Sequence, residues 1–164
     1  MSPRSSGRRT GGIRLRYAVD GVTMPHFDRA RVLTVVQSAF PAKARTGEPR
    51  MISVLFVSDQ RAIELHGRYF NDPTTTDVMT FPDGSRDPQA GLLLGDLAVC
   101  VPVARREARQ RQRTVADELT LYILHGVLHL LGHDDRDPRS RRAMWARQRR
   151  LLAQVGIRLE AEPG

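Results

Sequence analysis

Three histidines and two aspartates lie within residues 125–135, and their spacing suits a metal ion. His125 and His129 are four residues apart, so a helix places both imidazoles on one face, about 6 Å apart along its axis. Gly132 can end that helix with a positive φ, which turns the chain back and offers His133 or Asp135 as a third ligand. Three protein ligands with an open fourth position are typical of catalytic zinc. We therefore predict a catalytic metal site here.

The residue after His125 separates two kinds of metal-dependent hydrolase. Zinc peptidases with an H-E-x-x-H helix carry a glutamate there as the general base. This chain has Gly126, which has no side chain to accept a proton, so peptidase chemistry is disfavoured. Zinc also lowers the pKa of a bound water toward about 7 and neutralises charge on a phosphodiester oxygen. The residues favour metal-assisted hydrolysis of a phosphodiester.

The positive charge of the chain is clustered. The net charge is +8, and the basic residues concentrate in residues 1–16, 103–113 and 136–150, while the rest of the chain is net acidic. Lys43 is the only lysine among the 26 basic residues. Arginine binds phosphate in bidentate geometry, and although a coding bias can explain arginine over lysine, it does not explain the clustering. The pattern predicts an anionic partner, RNA or DNA.

Length and composition exclude several classes of protein. A chain of 164 residues with 40% hydrophobic and 27% charged residues fits one globular domain. The sequence has no apolar run of about 20 residues and no secretory signal, which argues against a membrane or exported protein. The single cysteine, Cys100, excludes an internal disulfide and fits a reducing cytoplasm. We predict a cytoplasmic protein with a disordered basic arm at residues 1–12 and a single domain at residues 13–164.

The elements that must position the metal ligands follow from periodicity and breaker residues. Strands are predicted at residues 13–19, 51–57, 76–81 and 92–101. Helices are predicted from Asp28, from Asp59 to about Tyr69, from Val115 to about Leu131, and from Asp137-Pro138 to Gly156. Asp59, Thr114 and Asp137 are the predicted caps of the last three. Gly95-Asp96 predicts a bulge or a close backbone approach within the last strand. This order predicts an α+β fold, in which a small mixed sheet packs against helices and the metal cleft lies between the histidine helix and the sheet.

Three motifs resemble those of a known family. The stretch from His125 to Asp135, H-G-V-L-H-L-L-G-H-D-D, closely resembles the H-G-x-L-H-L-x-G-x-D-H signature of the YbeY family, bacterial metal-dependent endoribonucleases and ribosomal RNA maturation factors. Thr76–Pro82 resembles that family's T-D-V-L-S-F-P segment, and Leu94–Val99 resembles its L-G-D-I-x-I strand. The motifs occur in the family's order, and the resemblance covers about residues 50–155.

The resemblance implies a ligand set for one Zn²⁺ per chain. His125, His129 and the position ten residues after His125 would hold the ion and so carry the catalysis. That position is Asp135 here, where the commoner pattern has histidine. Aspartate is an ordinary zinc ligand, but two histidines with one carboxylate also serve non-haem iron enzymes. His133 competes for the third place, and the family's spacing favours Asp135.

The resemblance also implies a substrate and a biological role. The family's activity is single-strand-specific cleavage of RNA, in maturation of the 16S ribosomal RNA 3′ end and in ribosome quality control. RNA, the ribosome or small-subunit proteins would then be partners, with no membrane or DNA partner. Near the metal loop and the preceding helix, we expect arginines to position the RNA, namely Arg68, Arg136 and Arg139.

One departure from the family pattern leaves alternatives open. Many members carry a Tyr-Arg pair just before the T-D-V segment, and its arginine is thought to serve RNA cleavage. Aligning Tyr69 with that tyrosine puts Phe70 at the arginine position. A non-catalytic RNA-binding or ribosome-assembly factor with a structural metal is therefore an alternative. A metallopeptidase is a second alternative, which Gly126 opposes.

Overall fold

A mixed sheet organises the part of the chain that the computed structural model describes, residues 12–160. Its strands are β1 (Ile13–Asp20), β2 (Arg50–Val57), β3 (Val78–Pro82), β4 (Arg86–Asp87) and β5 (Gly91–Cys100). The sheet order is β1-β2-β5-β3, and the short β4 also pairs with β5. β1, β2 and β5 are parallel, whereas β3 and β4 run antiparallel to β5. The small mixed sheet and the α+β class are confirmed; the predicted arm at residues 1–12 lies outside the described residues except for its last residue.

Helices connect and cover these strands. They are α1 (Arg29–Ser38), α2 (Asp59–Phe70), α3 (Val101–Gln110), α4 (Val115–Leu130) and α5 (Pro138–Ala153), with a short 3-10 helix at Ala42–Arg45. The sequence did not predict α3 as a separate helix, nor β4. Within residues 12–160, no helix is both long and apolar enough to cross a membrane.

Side-chain caps set the starts of most helices. Asp28, Thr114 and Asp137 accept backbone N–H bonds at the starts of α1, α4 and α5, and the predicted caps at Thr114 and Asp137 are confirmed. The prediction that Asp59 caps α2 is wrong, because the Ser58 hydroxyl accepts from the Arg61 N–H at 3.2 Å. Asp59 instead lies in the first turn, where its carboxylate pairs with Arg106 at 2.9 Å.

The histidine helix, α4, is buried on most of its sides. Leu119, Ile123, Leu124, Val127 and Leu128 are all 0% exposed within the main core, which also contains residues of α1, α5, β2 and β5. A helix that is apolar nearly all round belongs in a core and is held there by packing. α4 is therefore a rigid support for the ligands on its one accessible side.

Two glycines let α4 lie close to the sheet. The register between β2 and β5 shifts after Met51, so no residue of β2 lies opposite Leu94, and a bulge forms next to Gly95. A Cβ atom on Gly95 would lie 2.6 Å from Leu130 Cδ2 and 2.6 Å from the Phe81 carbonyl oxygen. A Cβ atom on Gly126 would lie 2.7 Å from Leu97 Cδ2. The predicted bulge and the close approach at Gly95 are both confirmed.

Candidate metal centre

Three predicted ligands come together at the C-terminal end of α4. His125 and His129 place their Nε2 atoms 3.1 Å apart. Asp135 Oδ2 lies 3.6 Å from His125 Nε2 and 3.5 Å from His129 Nε2. All three side chains are partly exposed, at 27%, 27% and 39% respectively, so the group can be reached from solvent. The i, i+4 spacing of the histidines and the return of the chain after Gly132 produce this triangle.

The triangle fits a small divalent cation. Zinc bonds of about 2.0–2.1 Å in tetrahedral geometry require ligand atoms about 3.3 Å apart. The three observed separations are 3.1, 3.5 and 3.6 Å. Two imidazole nitrogens and a carboxylate oxygen, with their remaining side open, match the donor set of a hydrolytic zinc site. The residues present therefore fit the metal that the sequence predicts.

The loop between α4 and α5 delivers Asp135 to this group. Gly132 adopts φ +93°, and the His133 N–H donates to the Leu128 carbonyl at 3.0 Å, which closes the end of α4. The Asp134 carboxylate then accepts from the Arg136 N–H at 3.0 Å in a tight turn. His133 lies nearby, in the cleft between α4 and β3. It is not part of the group formed by His125, His129 and Asp135, whose ligand atoms lie within 4.8 Å of one another.

A buried glutamine orients the first histidine. His125 Nδ1 lies 3.0 Å from Oε1 of Gln148, which is 2% exposed on α5. With the amide oxygen as acceptor, Nδ1 carries the proton and Nε2 keeps its lone pair toward the site. Burial and the nearby His129 lower the pKa of His125, which keeps the imidazole neutral and able to bind metal near pH 7. Sequence reasoning missed Gln148, although a polar residue on the apolar face of α5 was a signal for it.

Replacing Gln148 by leucine should weaken zinc binding by about 10- to 100-fold, because His125 would lose the acceptor that fixes its tautomer. Zinc affinity measured by competition with a chromogenic chelator would check this. Gln148→Glu keeps an acceptor and should retain affinity within a few fold. Equal affinities for the leucine variant and the parent protein would contradict the orienting role.

The metal group lies at the meeting of two clefts. The first, called the β3 cleft, lies between α4 and β3, where the sequence predicts it, and measures about 520 Å³. Its walls include His66, Phe70, Thr80, Pro82, His129 and Arg136. The second cleft lies among α3, α4 and α5, and His125 and Asp135 line both. A bound ion would therefore be accessible from two sides.

The three arginines predicted to bind substrate occupy different positions. Arg136 lines the β3 cleft, and its exposed side chain lies 3.5 Å from Asp134. Arg68 is exposed on α2, with its guanidinium 5.4 Å from the Tyr69 ring centroid. Arg139 is exposed in the first turn of α5. Neither Arg68 nor Arg139 lines either cleft, and their substrate contacts remain predictions.

Phe70 presents an apolar surface where the family resemblance expects an arginine. Its side chain is 48% exposed and lines the β3 cleft. Its ring centroid lies 5.7 Å from that of Phe81 and 5.6 Å from that of His66. The β3 cleft therefore has an aromatic wall at this position and no guanidinium.

Comparison with known proteins agrees with the motifs. The profile of the family described as Endoribonuclease YbeY matches residues 22–156. The chain belongs to the YbeY family. An Endoribonuclease YbeY from Kineococcus radiotolerans is 35% identical over 154 residues, covering 85% of this chain and 89% of that protein. One from Thermobifida fusca is 39% identical over 117 residues, covering 68% of this chain and 76% of that protein.

A solved structure shares the fold seen here. The solution structure of TM1509 from Thermotoga maritima aligns with a TM-score of 0.53 at 22% identity. The alignment covers 87% of this chain and 89% of that chain. At this level of identity the likeness concerns the arrangement of the helices and strands.

Proposed function

We propose that this protein is a zinc-dependent endoribonuclease that cleaves single-stranded RNA. The observation that carries the proposal is the triangle of His125, His129 and Asp135, which is open to two clefts in a chain of the endoribonuclease YbeY family. The absence of a glutamate at Gly126 separates it from H-E-x-x-H peptidases. A metal-activated hydrolysis of an RNA phosphodiester uses all of these features.

Some residues of the site would bind the ion, and others would position the substrate. His125, His129 and Asp135 would hold Zn²⁺, which supplies an acidified water and a Lewis acid for a phosphoryl oxygen. Gln148 fixes the ring of His125. Arg136, at the wall of the β3 cleft, is placed to contact the RNA backbone. The two clefts leave room for the RNA strand on either side of the scissile phosphate.

A paired measurement tests this proposal: zinc content by elemental analysis, and cleavage of a single-stranded ribosomal RNA fragment before and after chelation. We expect about one zinc per chain, with cleavage lost on chelation and restored by zinc. A matched double-stranded RNA should be cut more slowly. Stoichiometric zinc without any cleavage would overturn the nuclease assignment and favour the assembly-factor alternative, which Phe70 supports.

The cellular role that we propose is maturation of the 16S ribosomal RNA 3′ end and ribosome quality control in the cytoplasm, with small-subunit components as partners. The family and the basic surface support it. Helix α5 carries no acidic residue, and its solvent face bears four exposed arginines, Arg139, Arg142, Arg149 and Arg150. Such a face suits contact with a polyanion.

Salt dependence should report these backbone contacts. For single strands, the logarithm of the binding constant falls with the logarithm of salt concentration by about 0.7 per phosphate contacted. The double variant Arg142→Gln/Arg149→Gln should therefore make the slope shallower by about 1.4. Titration of a labelled RNA by fluorescence anisotropy at several salt concentrations would measure it. An unchanged slope would show that Arg142 and Arg149 do not contact phosphate.

Restoring a guanidinium at the aromatic wall should accelerate cleavage. Phe70→Arg places a cation in the β3 cleft, where charge develops on the phosphoryl group, and we expect the single-turnover rate to rise by about tenfold or more. Phe70→Leu is the matched control, since it removes the ring without adding charge. Equal rates for the arginine and leucine variants at full zinc occupancy would contradict the prediction.

A further inference from the structure

The second cleft at the metal group, called the Trp145 cleft, is built to take a nucleotide. We propose that it binds one nucleotide of the RNA chain beside the scissile phosphate, with the base against the Trp145 wall and a phosphate at Arg141. This inference rests on the proposed function, because it assigns a subsite to the same reaction. The cleft measures about 580 Å³, within the range of about 300–1,000 Å³ typical of small-molecule sites.

Apolar side chains and an aromatic ring line part of the cleft. They are Val103 of α3, Leu121 of α4, and Met144 and Trp145 of α5. The Trp145 indole N–H donates to the Glu160 carbonyl at 3.2 Å, which fixes the ring while leaving it half-buried. A held aromatic ring binds a nucleobase well, because every base has a π-face and the ring loses little freedom on stacking. Trp145 thus packs against the main core and also lines the cleft.

Polar side chains also line the cleft. Thr75, Thr76 and Asp77 lie on the loop before β3 and line the cleft. Their hydroxyl and carboxylate groups offer donors and acceptors to ribose hydroxyls or to a base edge. A cleft lined by both apolar and hydrogen-bonding side chains suits a nucleoside better than a purely apolar or purely charged ligand.

The charges of the cleft single out Arg141 for the phosphate. Arg111 is already paired with Glu107 at 3.1 Å. Arg141 also lines the cleft, and among residues 12–160 no carboxylate lies within salt-bridge distance of its side chain. A guanidinium without a carboxylate partner retains its donors for a phosphate. Arg141 is thus the cation of this cleft that can bind an anion without breaking an ion pair.

The position of the cleft connects it to the reaction. His125 and Asp135 line both this cleft and the β3 cleft, so the two clefts meet at the metal group. In the proposed arrangement, an RNA strand that places its scissile phosphate there extends one nucleotide into each cleft. The Trp145 cleft would hold the nucleotide on one side, and the aromatic wall at Phe70 would face the strand on the other.

The chain provides its own probe, because Trp145 is the only tryptophan. The zinc-loaded full-length protein should show saturable quenching of tryptophan fluorescence with adenosine monophosphate, whereas inorganic phosphate should cause none, since it cannot stack on the indole. Arg141→Gln should weaken nucleotide binding about fivefold through loss of a charge-assisted hydrogen bond. Lys43→Gln removes one exposed positive charge in the 3-10 helix Ala42–Arg45, outside both clefts, so it is the control and should bind within a factor of about two.

Binding and cleavage separate the possible outcomes. Absence of saturable quenching by both the mononucleotide and a short single-stranded RNA would overturn the proposal, and cleavage by the same protein would show that only the subsite is wrong. Quenching that Arg141→Gln leaves unchanged would also overturn it. Saturable quenching weakened in Arg141→Gln but not in Lys43→Gln, in a protein that does not cleave RNA, would support the cleft and reject the nuclease function.

Discussion

Asp135→Ala is expected to lower zinc content to well below one equivalent per chain and to abolish RNA cleavage. Asp135 Oδ2 lies 3.5–3.6 Å from both histidine nitrogens, so it supplies the third corner of the ligand triangle. Loss of a partner that only orients a ligand already costs about 10- to 100-fold in affinity, and loss of a direct ligand should cost at least about 100-fold. Elemental analysis after dialysis and single-turnover cleavage would measure both effects.

Neighbouring residues provide the controls for this change. His133→Ala should keep its zinc, because His133 lies outside the ligand group. Asp134→Ala removes an adjacent exposed carboxylate and should also retain zinc. It loses the hydrogen bond from the Arg136 N–H, which loosens the turn. Asp135→His should bind zinc, since it restores the family's pattern. Loss of zinc in His133→Ala with retention in Asp135→Ala would transfer the third ligand to His133.

The parts of this site that could be predicted from the sequence are those set by local geometry. The spacing of His125 and His129 fixes their shared face whatever surrounds the helix, and Gly132 fixes the end of that helix. The choice between His133 and Asp135 depends on how a short loop folds back, and the family's spacing pointed to the residue that the structure places beside the histidines. Local rules left that choice open.

Features that depend on packing between distant segments could not be predicted. Gln148 reaches His125 across 23 residues, and only the docking of α5 on α4 brings them together. The Trp145 cleft likewise exists because α3, α4 and α5 leave a space that no single segment encodes. Ser58 and Asp59 are both residue types that cap helices well. In the structure Ser58 caps α2, and Asp59 pairs with Arg106 of α3, a contact that the local sequence does not indicate.

The carboxylate in the ligand set bears on which metal the protein holds. Two imidazoles and one carboxylate serve zinc hydrolases and also non-haem iron sites, and the latter use an octahedral ion with several open positions. The open side of the triangle faces two clefts, so it leaves space for more than one further ligand. Our proposal of zinc rests on the hydrolytic chemistry of the family, and elemental analysis distinguishes the two metals directly.

Gly126→Glu, which would create an H-E-x-x-H helix, is expected to unfold the protein instead of converting it to a peptidase. Gly126 is buried, and a Cβ atom there would lie 2.7–3.3 Å from three side-chain atoms of Leu97, itself 0% exposed. A glutamate at this position would enter the interface between α4 and β5, without room and without a partner for its charge. We expect the free energy of unfolding to fall by more than about 4 kcal/mol.

A graded series separates the crowding from the charge. Gly126→Ala should lower the free energy of unfolding by only about 1 kcal/mol, because the helix preference of alanine offsets about half of the cost of displacing Leu97, about 2 kcal/mol. Ala143→Glu, on the exposed side of α5, should change it by less than about 0.5 kcal/mol. Urea unfolding followed by circular dichroism would measure all three variants. Because Gly126 faces Leu97 of β5, the residue at this position controls how closely α4 packs against the sheet. A folded Gly126→Glu variant that cleaves peptides would contradict this conclusion.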